Sequence, residues 1–190
     1  MISQQDDAMR VSRKQVEENK QTILTAAGRL FRERGFDAVT VTDIMKSAGL
    51  THGGFYGYFK SKDDLIAQTL AELKIESETT ENDFASRVER YLSPEHRDNF
   101  ANGCPLAALA AETIRQSEPA RDEMTARLRQ HIDQLSEAMD DQDAEARRRA
   151  AIGSWSAMVG ALILARMTAD SAFSDEILAE TAAWLAEKQR

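Results

Sequence analysis

Apolar side chains recur along this chain at the three- and four-residue spacing of an α-helix. The first such segment predicts a helix over residues 16–34, with one apolar face made by Ile23, Ala26, Ala27, Leu30 and Phe31. Gly35 follows directly and predicts the end of this helix, because glycine adopts the backbone conformations that stop one. No stretch shows the alternating, β-branched pattern of successive strands. The pattern therefore predicts an all-α fold.

Two short helices are predicted next. Thr40 is the predicted N-cap of the first, with Asp43 as its capping-box partner, and Gly49 ends it. Thr51 is the predicted N-cap of the second, which covers residues 52–59.

Longer helices are predicted for the rest of the chain, over residues 61–73, 84–92, 105–116, 120–139, 143–169 and 174–188. The polar and acidic segment 75–83 predicts a helix end or a kink. We divide the chain into a head, residues 1–62, with a short-helix arrangement, and a larger helical body, residues 63–190.

Composition places the chain among soluble globular proteins, since 42% of its 190 residues are hydrophobic and 29% are charged. Its single cysteine, Cys104, cannot form a disulfide within the chain. The polar start of the chain does not resemble an export signal. The most apolar stretch, residues 155–165, is about half of the ~20 residues that span a bilayer, so we expect a buried helix, no membrane partner and a cytoplasmic location.

Charge is divided unevenly between the two parts. The head holds ten Lys and Arg against seven acids, a net charge of +3, whereas the body holds 14 against 25, a net charge of −11. The head can therefore meet a polyanion while the acidic body resists non-specific contact.

The two short helices and the glycine turn between them have the spacing of a helix-turn-helix. That spacing alone is weak evidence, because such pairs occur in many helical bundles. In the second helix Phe55 and Phe59 are one helical step apart and are predicted to enter the core. Donors for phosphates and base edges remain at Thr51, His52, Tyr56, Tyr58, Lys60 and Lys62. Gly53 and Gly54 indicate either close approach to another surface or a tight turn.

The segment TVTDIMKSAGLTHGGFYGYFKSKDDLI, preceded by FRERGFDAVT, resembles the DNA-binding head of TetR-type (TetR/AcrR) transcriptional regulators. The resemblance covers residues 16–73 and departs from the usual pattern at Met45, Gly57 and Tyr58. It implies three head helices, a linking helix, and a body that binds an effector and forms a homodimer. The implied function is that of a repressor, not an enzyme, and its implied partner is double-stranded operator DNA.

Transferred position by position, the resemblance implies DNA contacts from Thr40, Thr42, Thr51, His52, Gly53, Tyr56, Tyr58 and Lys62. Tyr56, Tyr58 and Lys62 would hold phosphates. Tyr56 has the alternative of a half-buried core tyrosine. Arg13 and Lys14, ahead of the first predicted helix, are either a basic arm that reaches DNA or a solvated tail.

The predicted helix over 143–169 is apolar nearly all round, which requires burial on more than one face. Together with the closing helix it suits a four-helix interface between two subunits. The interface residues predicted on this basis are Trp155, Val159, Leu162, Ile163 and Trp184. The alternative is the core of a monomer.

The effector is expected to act in the body. Cys104 precedes Pro105, so it falls at the start of a helix whose dipole favours a thiolate. This start also resembles a branch of TetR-type repressors that respond to reactive electrophiles or oxidants. The alternatives are an inert, buried cysteine and a small apolar effector near Leu109, Thr113, Met124, Leu128 and Trp155.

The sequence contains no recognisable catalytic set. His52, His96 and His131 are scattered, and neither a metal-ligand spacing nor a phosphate-binding glycine loop is present, so no metal or cofactor is predicted. His96 lies eight residues before Cys104 and can form a Cys-His pair with it. The alternative from another class is therefore a small helical thiol enzyme, or a ligand-binding module, with a merely structural head.

Overall fold

A computed structural model describes residues 13–75, 84–139 and 142–188. These residues form helices and no strand, which confirms the predicted all-α fold. In chain order the helices are α1 (Arg13–Ala38), α2 (Val41–Ser47), a 3₁₀ helix (His52–Gly57), α3 (Lys62–Glu72), α4 (Phe84–Tyr91), α5 (Pro94–Asp98), α6 (Pro105–Thr113), α7 (Glu118–Glu137), α8 (Ala144–Met167) and α9 (Ser171–Lys188).

Helix α1 is interrupted at Gly35, where the sequence predicted its end. Gly35 has φ 81° and ψ 169°, a positive-φ conformation that is essentially restricted to glycine. The chain bends there and places Phe36 in the core, in an edge-to-face contact with Phe31 at 5.1 Å between ring centroids. The bend therefore joins α1 to the short helices while keeping an aromatic pair buried.

Local capping positions α2, as predicted. The Thr40 hydroxyl oxygen accepts a hydrogen bond from the Asp43 N–H, and an Asp43 carboxylate oxygen accepts one from the Thr40 N–H, which completes a capping box. At the other end Gly49 adopts φ 72°, and its N–H donates to the carbonyl of Lys46 while the N–H of Leu50 donates to that of Met45. These two bonds are a Schellman motif, which accounts for the glycine.

The second short helix, expected over 52–59, is a 3₁₀ helix and ends earlier, at Gly57. Three of its six residues are glycines, which favour the helical state least among residues other than proline. Thr51 occupies the N-cap position, but its side chain makes no capping hydrogen bond. Phe55 and Phe59 nevertheless reach the core as predicted and stack with ring centroids 5.6 Å apart.

The body packs around α8, which lies against α6, α7 and α9. Helix α3 packs against both α1 and α7, and α1 also packs against α6, so the first helix of the head is joined to the body through α3 and α6. The sequence analysis missed α5, although Ser93 caps it and Pro94 occupies its first turn.

By length and composition α8 is apolar enough to cross a membrane, which corrects the length argument made from residues 155–165. A core helix of a soluble protein passes the same test, and one such helix is weak evidence for a membrane span. One face of α8 is buried among its neighbours, and the Arg166 side chain near its end donates to the backbone carbonyls of His96 and Arg97.

Candidate functional site

Helix α2 and the 3₁₀ helix together present an exposed polar surface. Thr42 and His52 come from different helices, and the Thr42 hydroxyl lies 3.2 Å from Nδ1 of His52. Tyr56 is 74% exposed, so it is not the half-buried core tyrosine considered as its alternative. Thr51 and Gly53 are exposed beside them. Five of the eight residues predicted to contact DNA therefore lie on one accessible part of the head.

Thr40 is exposed as well, but its hydroxyl is engaged within the head. It donates to the Asp43 carboxylate at 2.6 Å and accepts the Asp43 N–H at 3.1 Å. The hydrogen bonds from the Thr40 side chain and backbone lower the pKa of Asp43 below its ordinary value. The capping box therefore holds the start of α2 in place while the polar surface stays accessible.

Tyr58 and Lys62, both predicted to hold phosphates, are half-buried and bonded inside the head. The Tyr58 hydroxyl accepts a hydrogen bond from Asn19 of α1 at 3.0 Å, and the Lys62 ammonium donates to the carbonyl of Phe36 at 2.5 Å. Each side chain keeps donor capacity, because a phenol still has its own hydrogen and an ammonium has three. Both residues thus connect the 3₁₀ helix and the start of α3 to α1.

Arg13 and Lys14 are the first two residues of α1 and are exposed, not ahead of the helix as expected. Lys14 lies 3.5 Å from the carboxylate of Glu18 in an exposed i, i+4 ion pair. Because the pair is exposed, the charge of Lys14 remains accessible to solvent. Exposed pairs of this kind contribute little to stability.

The residues predicted at a dimer interface are separated by the fold. Trp155 and Leu162 pack inside the protomer, so they have no side-chain surface to offer a second chain, contrary to the expectation. Val159 is half-buried, and Ile163 and Trp184 are exposed. Helix α8 is apolar nearly all round beyond its first turns, and the positions of the helices packed against it, α5, α6, α7 and α9, decide which of its faces is covered.

An exposed apolar face nevertheless runs along α8 and α9. Its large side chains are Ile152, Ile163, Leu164, Met167, Phe173 and Trp184. Gly160 lies among them, and a Cβ built there would meet no atom within 4 Å. We call these residues the α8–α9 face. Exposed apolar patches of this kind mark interaction sites in soluble proteins.

Four of the five predicted effector residues are buried on helices that pack together: Leu109 and Thr113 on α6, Met124 on α7, and Trp155 on α8. Leu128 of α7 is 37% exposed and reaches the surface.

The sequence analysis counted His131 only among three scattered histidines that indicate no site. The structure buries it against Trp155, with ring centroids 4.0 Å apart. Burial, assisted by the charge of Arg87, lowers the pKa of His131 to about 4, so its imidazole is neutral at pH 7. The seven-residue spacing from Met124 places His131 on the same face of α7, and this could be read from the sequence. The burial of His131 could not.

Cys104 occupies the N-cap position of α6, as predicted, and its side chain is buried and makes no capping bond. Its backbone N–H donates to Nε2 of His96 at 3.0 Å, and Nδ1 of His96 lies 2.7 Å from the carbonyl of Tyr91. Only the neutral tautomer with a hydrogen on Nδ1 satisfies both contacts. Burial also lowers the pKa of His96. His96 thus connects two backbone groups, and its one lone pair, on Nε2, already accepts the Cys104 N–H. It has no free lone pair to take a proton from the thiol, which argues against a Cys-His catalytic pair.

Hydrogen bonds also connect head and body directly. The Glu112 carboxylate of α6 accepts the N–H of Phe36 at 2.6 Å, and Nε of Arg32 donates to the carbonyl of Ala101 at 2.6 Å. A Cβ at Gly35 would meet that carboxylate, and the positive φ of Gly35 adds backbone strain for any residue with a Cβ. Helix α6 therefore links the bend of α1 to the helices that hold the predicted effector residues.

Among the described residues, no cluster of three or more His, Cys, Asp and Glu side chains has the arrangement of a metal site.

Comparisons with known proteins agree with this architecture. Residues 23–69 match the bacterial regulatory proteins of the tetR family, and residues 83–179 match the C-terminal domain of LmrA/YxaF-like transcriptional regulators. The transcriptional regulator AcrR from Shigella flexneri is 37% identical over 31% of this chain and 27% of its own. Several curated relatives, AcrR among them, are matched over less than half of their length.

A longer match reaches the repressor NemR from Escherichia coli, which is 28% identical over 65% of this chain and 68% of its own. The crystal structure of reduced NemR superposes with a TM-score of 0.65 at 20% identity and covers 90% of this chain and 96% of that one. At that identity the structural likeness concerns the fold.

Proposed function

Because the chain belongs to the tetR family of bacterial transcriptional regulators, we propose that it acts in the cytoplasm as a homodimeric repressor of a palindromic operator. An effector that enters the body releases it from DNA. The observation that carries the DNA-binding part is the exposed surface shared by α2 and the 3₁₀ helix, where the Thr42 hydroxyl meets the His52 imidazole and Tyr56 stands open to solvent. Support also comes from the basic head on an acidic body.

A gel-shift assay with DNA from upstream of the chain's own gene tests this proposal. Lys62→Ala should weaken binding to all sequences and lower the salt slope by about 1, because it removes one phosphate contact. His52→Ala should instead change the preference among operator variants, since its ring faces the groove in this proposal. Arg115→Ala, which removes an exposed charge of the same sign from the body, is the matched control.

Folding must be checked in the same samples, because Lys62 also holds the Phe36 carbonyl. Unchanged circular dichroism with unchanged affinity and salt slope for both Lys62→Ala and Tyr56→Phe would contradict the phosphate contacts. An unaltered ranking of operators by His52→Ala would contradict its role in base recognition.

The homodimer is proposed from the α8–α9 face, where large apolar side chains surround the open Gly160. A second copy of this face would cover them, as a two-fold interface requires the same patch on both subunits. The two heads would then meet half-sites one helical turn, about 34–36 Å, or a multiple of it, apart. Sedimentation of the wild type as a monomer at micromolar concentration would contradict this part.

Two classes of effector are compatible with the body, a small molecule near Leu109, Thr113, Met124, Leu128 and Trp155 or a reactive electrophile at Cys104. The electrophile is supported by the surroundings of Cys104, since the Arg32 and Arg166 guanidiniums interact electrostatically with it. Burial of that sulfur opposes it, because an electrophile must first reach the interior.

Treatment of operator complexes with N-ethylmaleimide separates the two classes. Release from wild type but not from Cys104→Ser supports the electrophile. Equal release from both proteins, or release from neither, removes Cys104 from the mechanism and leaves the small molecule.

A further inference from the structure

Three aromatic rings from three helices meet in the interior of the body. His131 of α7 and Trp155 of α8 have centroids 4.0 Å apart, and Tyr91 of α4 approaches Trp155 at 4.9 Å. His131 and Trp155 are only 5% and 3% exposed. The three rings therefore form an aromatic wall at the centre of the region proposed to bind an effector.

Two polar atoms on this wall are unsatisfied. Nε2 of His131 and Nε1 of Trp155 are both buried and have no hydrogen-bond partner. A buried polar group without a partner is costly, and more than nine in ten such backbone groups and most side-chain ones are paired in folded proteins. The indole N–H can only donate, and a neutral imidazole with its hydrogen on Nε2 donates as well. Two N–H donors on adjacent rings can both bond to one carbonyl oxygen, because that oxygen has two lone pairs.

The charges around the wall select against cations. The buried polar side chains among the described residues are Thr69, Thr113, His131 and Ser174, so none of them is a carboxylate that could neutralise a cationic ligand. The positive charge of Arg87 acts on His131, and with burial it keeps the imidazole neutral. A cation would lose its water without gaining a counter-charge.

One face of α7 connects the wall to the surface. Met124, Leu128 and His131 follow at i, i+4 and i+7, so they share a face of the helix. Leu128, the middle residue of the three, is 37% exposed, whereas Met124 and His131 are buried. An apolar compound would enter beside Leu128, where the unbranched, adaptable side chain of Met124 can move aside.

We propose that the effector is an aromatic compound without a positive charge that carries a carbonyl oxygen, which accepts hydrogen bonds from Nε1 of Trp155 and Nε2 of His131. This inference rests on the proposed effector function of the body, and it adds the chemistry of the ligand. It requires no reaction with Cys104.

Three matched probes test the ligand chemistry by titration calorimetry with the full chain. They are 1-tetralone, which has the carbonyl, tetralin, which lacks it, and protonated 1-aminotetralin, which replaces it with a positive charge. One hydrogen bond is equivalent to about 2- to 12-fold in affinity. Wild type should therefore bind 1-tetralone at least about 5-fold more tightly than tetralin, and 1-aminotetralin more weakly than both.

Trp155→Phe keeps a ring and removes the indole donor but leaves the bond from His131, so it should reduce the preference for 1-tetralone over tetralin by about 2- to 12-fold. His131→Phe is the second variant and should reduce the preference in the same direction, and circular dichroism identifies whichever variant is folded. Equal binding of the two probes by wild type overturns the inference. An undiminished preference in both variants, or tighter binding of 1-aminotetralin, overturns it as well.

The gel-shift assay with the same probes distinguishes this inference from the proposed function. A carbonyl preference that depends on Trp155, without release of DNA, supports the ligand chemistry and counts against its role as an effector. Release of DNA by another compound, with no carbonyl preference, overturns the ligand chemistry and leaves the regulatory function standing.

Discussion

Replacement of His131 should change how the stability of this protein depends on pH. The pKa of His131 is about 4 in the folded chain, against 6.5 for an ordinary histidine, because burial penalises the charged imidazole and Arg87 adds a repulsive charge. Well above pH 6.5 the ring is neutral in both the folded and the unfolded chain, so it has no effect on the pH dependence there. As the pH falls below 6.5, His131 binds a proton in the unfolded chain but stays neutral in the folded chain. The free energy of unfolding therefore decreases until the pH reaches about 4.

The size of this loss follows from the difference between the two pKa values. One pKa unit corresponds to about 1.36 kcal/mol, so the full loss is about 3 kcal/mol, of which about 2 kcal/mol is lost between pH 7 and pH 4.5. His131→Phe has no proton to bind at this position. Its free energy of unfolding should therefore fall less steeply over the same interval, whatever constant cost the substitution carries.

Urea unfolding of wild type and His131→Phe measures this difference, at one protein concentration and at half-unit steps from pH 7.5 to pH 4.5. Other titrating groups contribute equally to both proteins and cancel in the difference. Arg87→Gln, which removes the neighbouring charge, should make the loss smaller than in wild type. Parallel stability curves for wild type and His131→Phe would refute the reasoning.

Three other perturbations test the packing and the contacts between helices. Glu112→Ala leaves the Phe36 N–H without its acceptor and should lower the free energy of unfolding in urea by about 1–3 kcal/mol. Glu112→Gln keeps an oxygen and should cost less, so equal costs would contradict the hydrogen bond. Ile163→Arg, on the exposed α8–α9 face, should yield folded monomers in sedimentation, whereas Leu162→Arg, fully buried in the protomer, should unfold the chain by circular dichroism. A dimeric Ile163→Arg protein would exclude that face as the interface. Phe55→Ala removes a buried ring and should lower the unfolding free energy in urea by about 3–5 kcal/mol, and a loss below 1 kcal/mol would contradict its place in the core.

Helix ends were readable from the sequence wherever the signal is local. The Thr40–Asp43 capping box, the bend at Gly35 and the Schellman turn at Gly49 each involve residues a few positions apart. Their hydrogen bonds and φ angles depend on the residue types themselves, so short stretches of sequence are sufficient to predict them. The same holds for Phe55 and Phe59, four positions apart, where the Phe59 N–H donates to the Phe55 carbonyl and both rings enter the core.

The candidate sites depended on contacts that no local pattern contains. Trp155 and Ile163 have similar apolar surroundings in the sequence, yet one is buried and the other exposed, because α8 is apolar all round and its neighbours cover one side only. The Lys62 ammonium reaches the Phe36 carbonyl across 26 positions, and the Glu112 carboxylate reaches the Phe36 N–H across 76. Amino-acid types determined which segments become helices, through short-range caps and periodicity. Tertiary packing decided which faces lost their water, since burial is a property of neighbours distant in the chain.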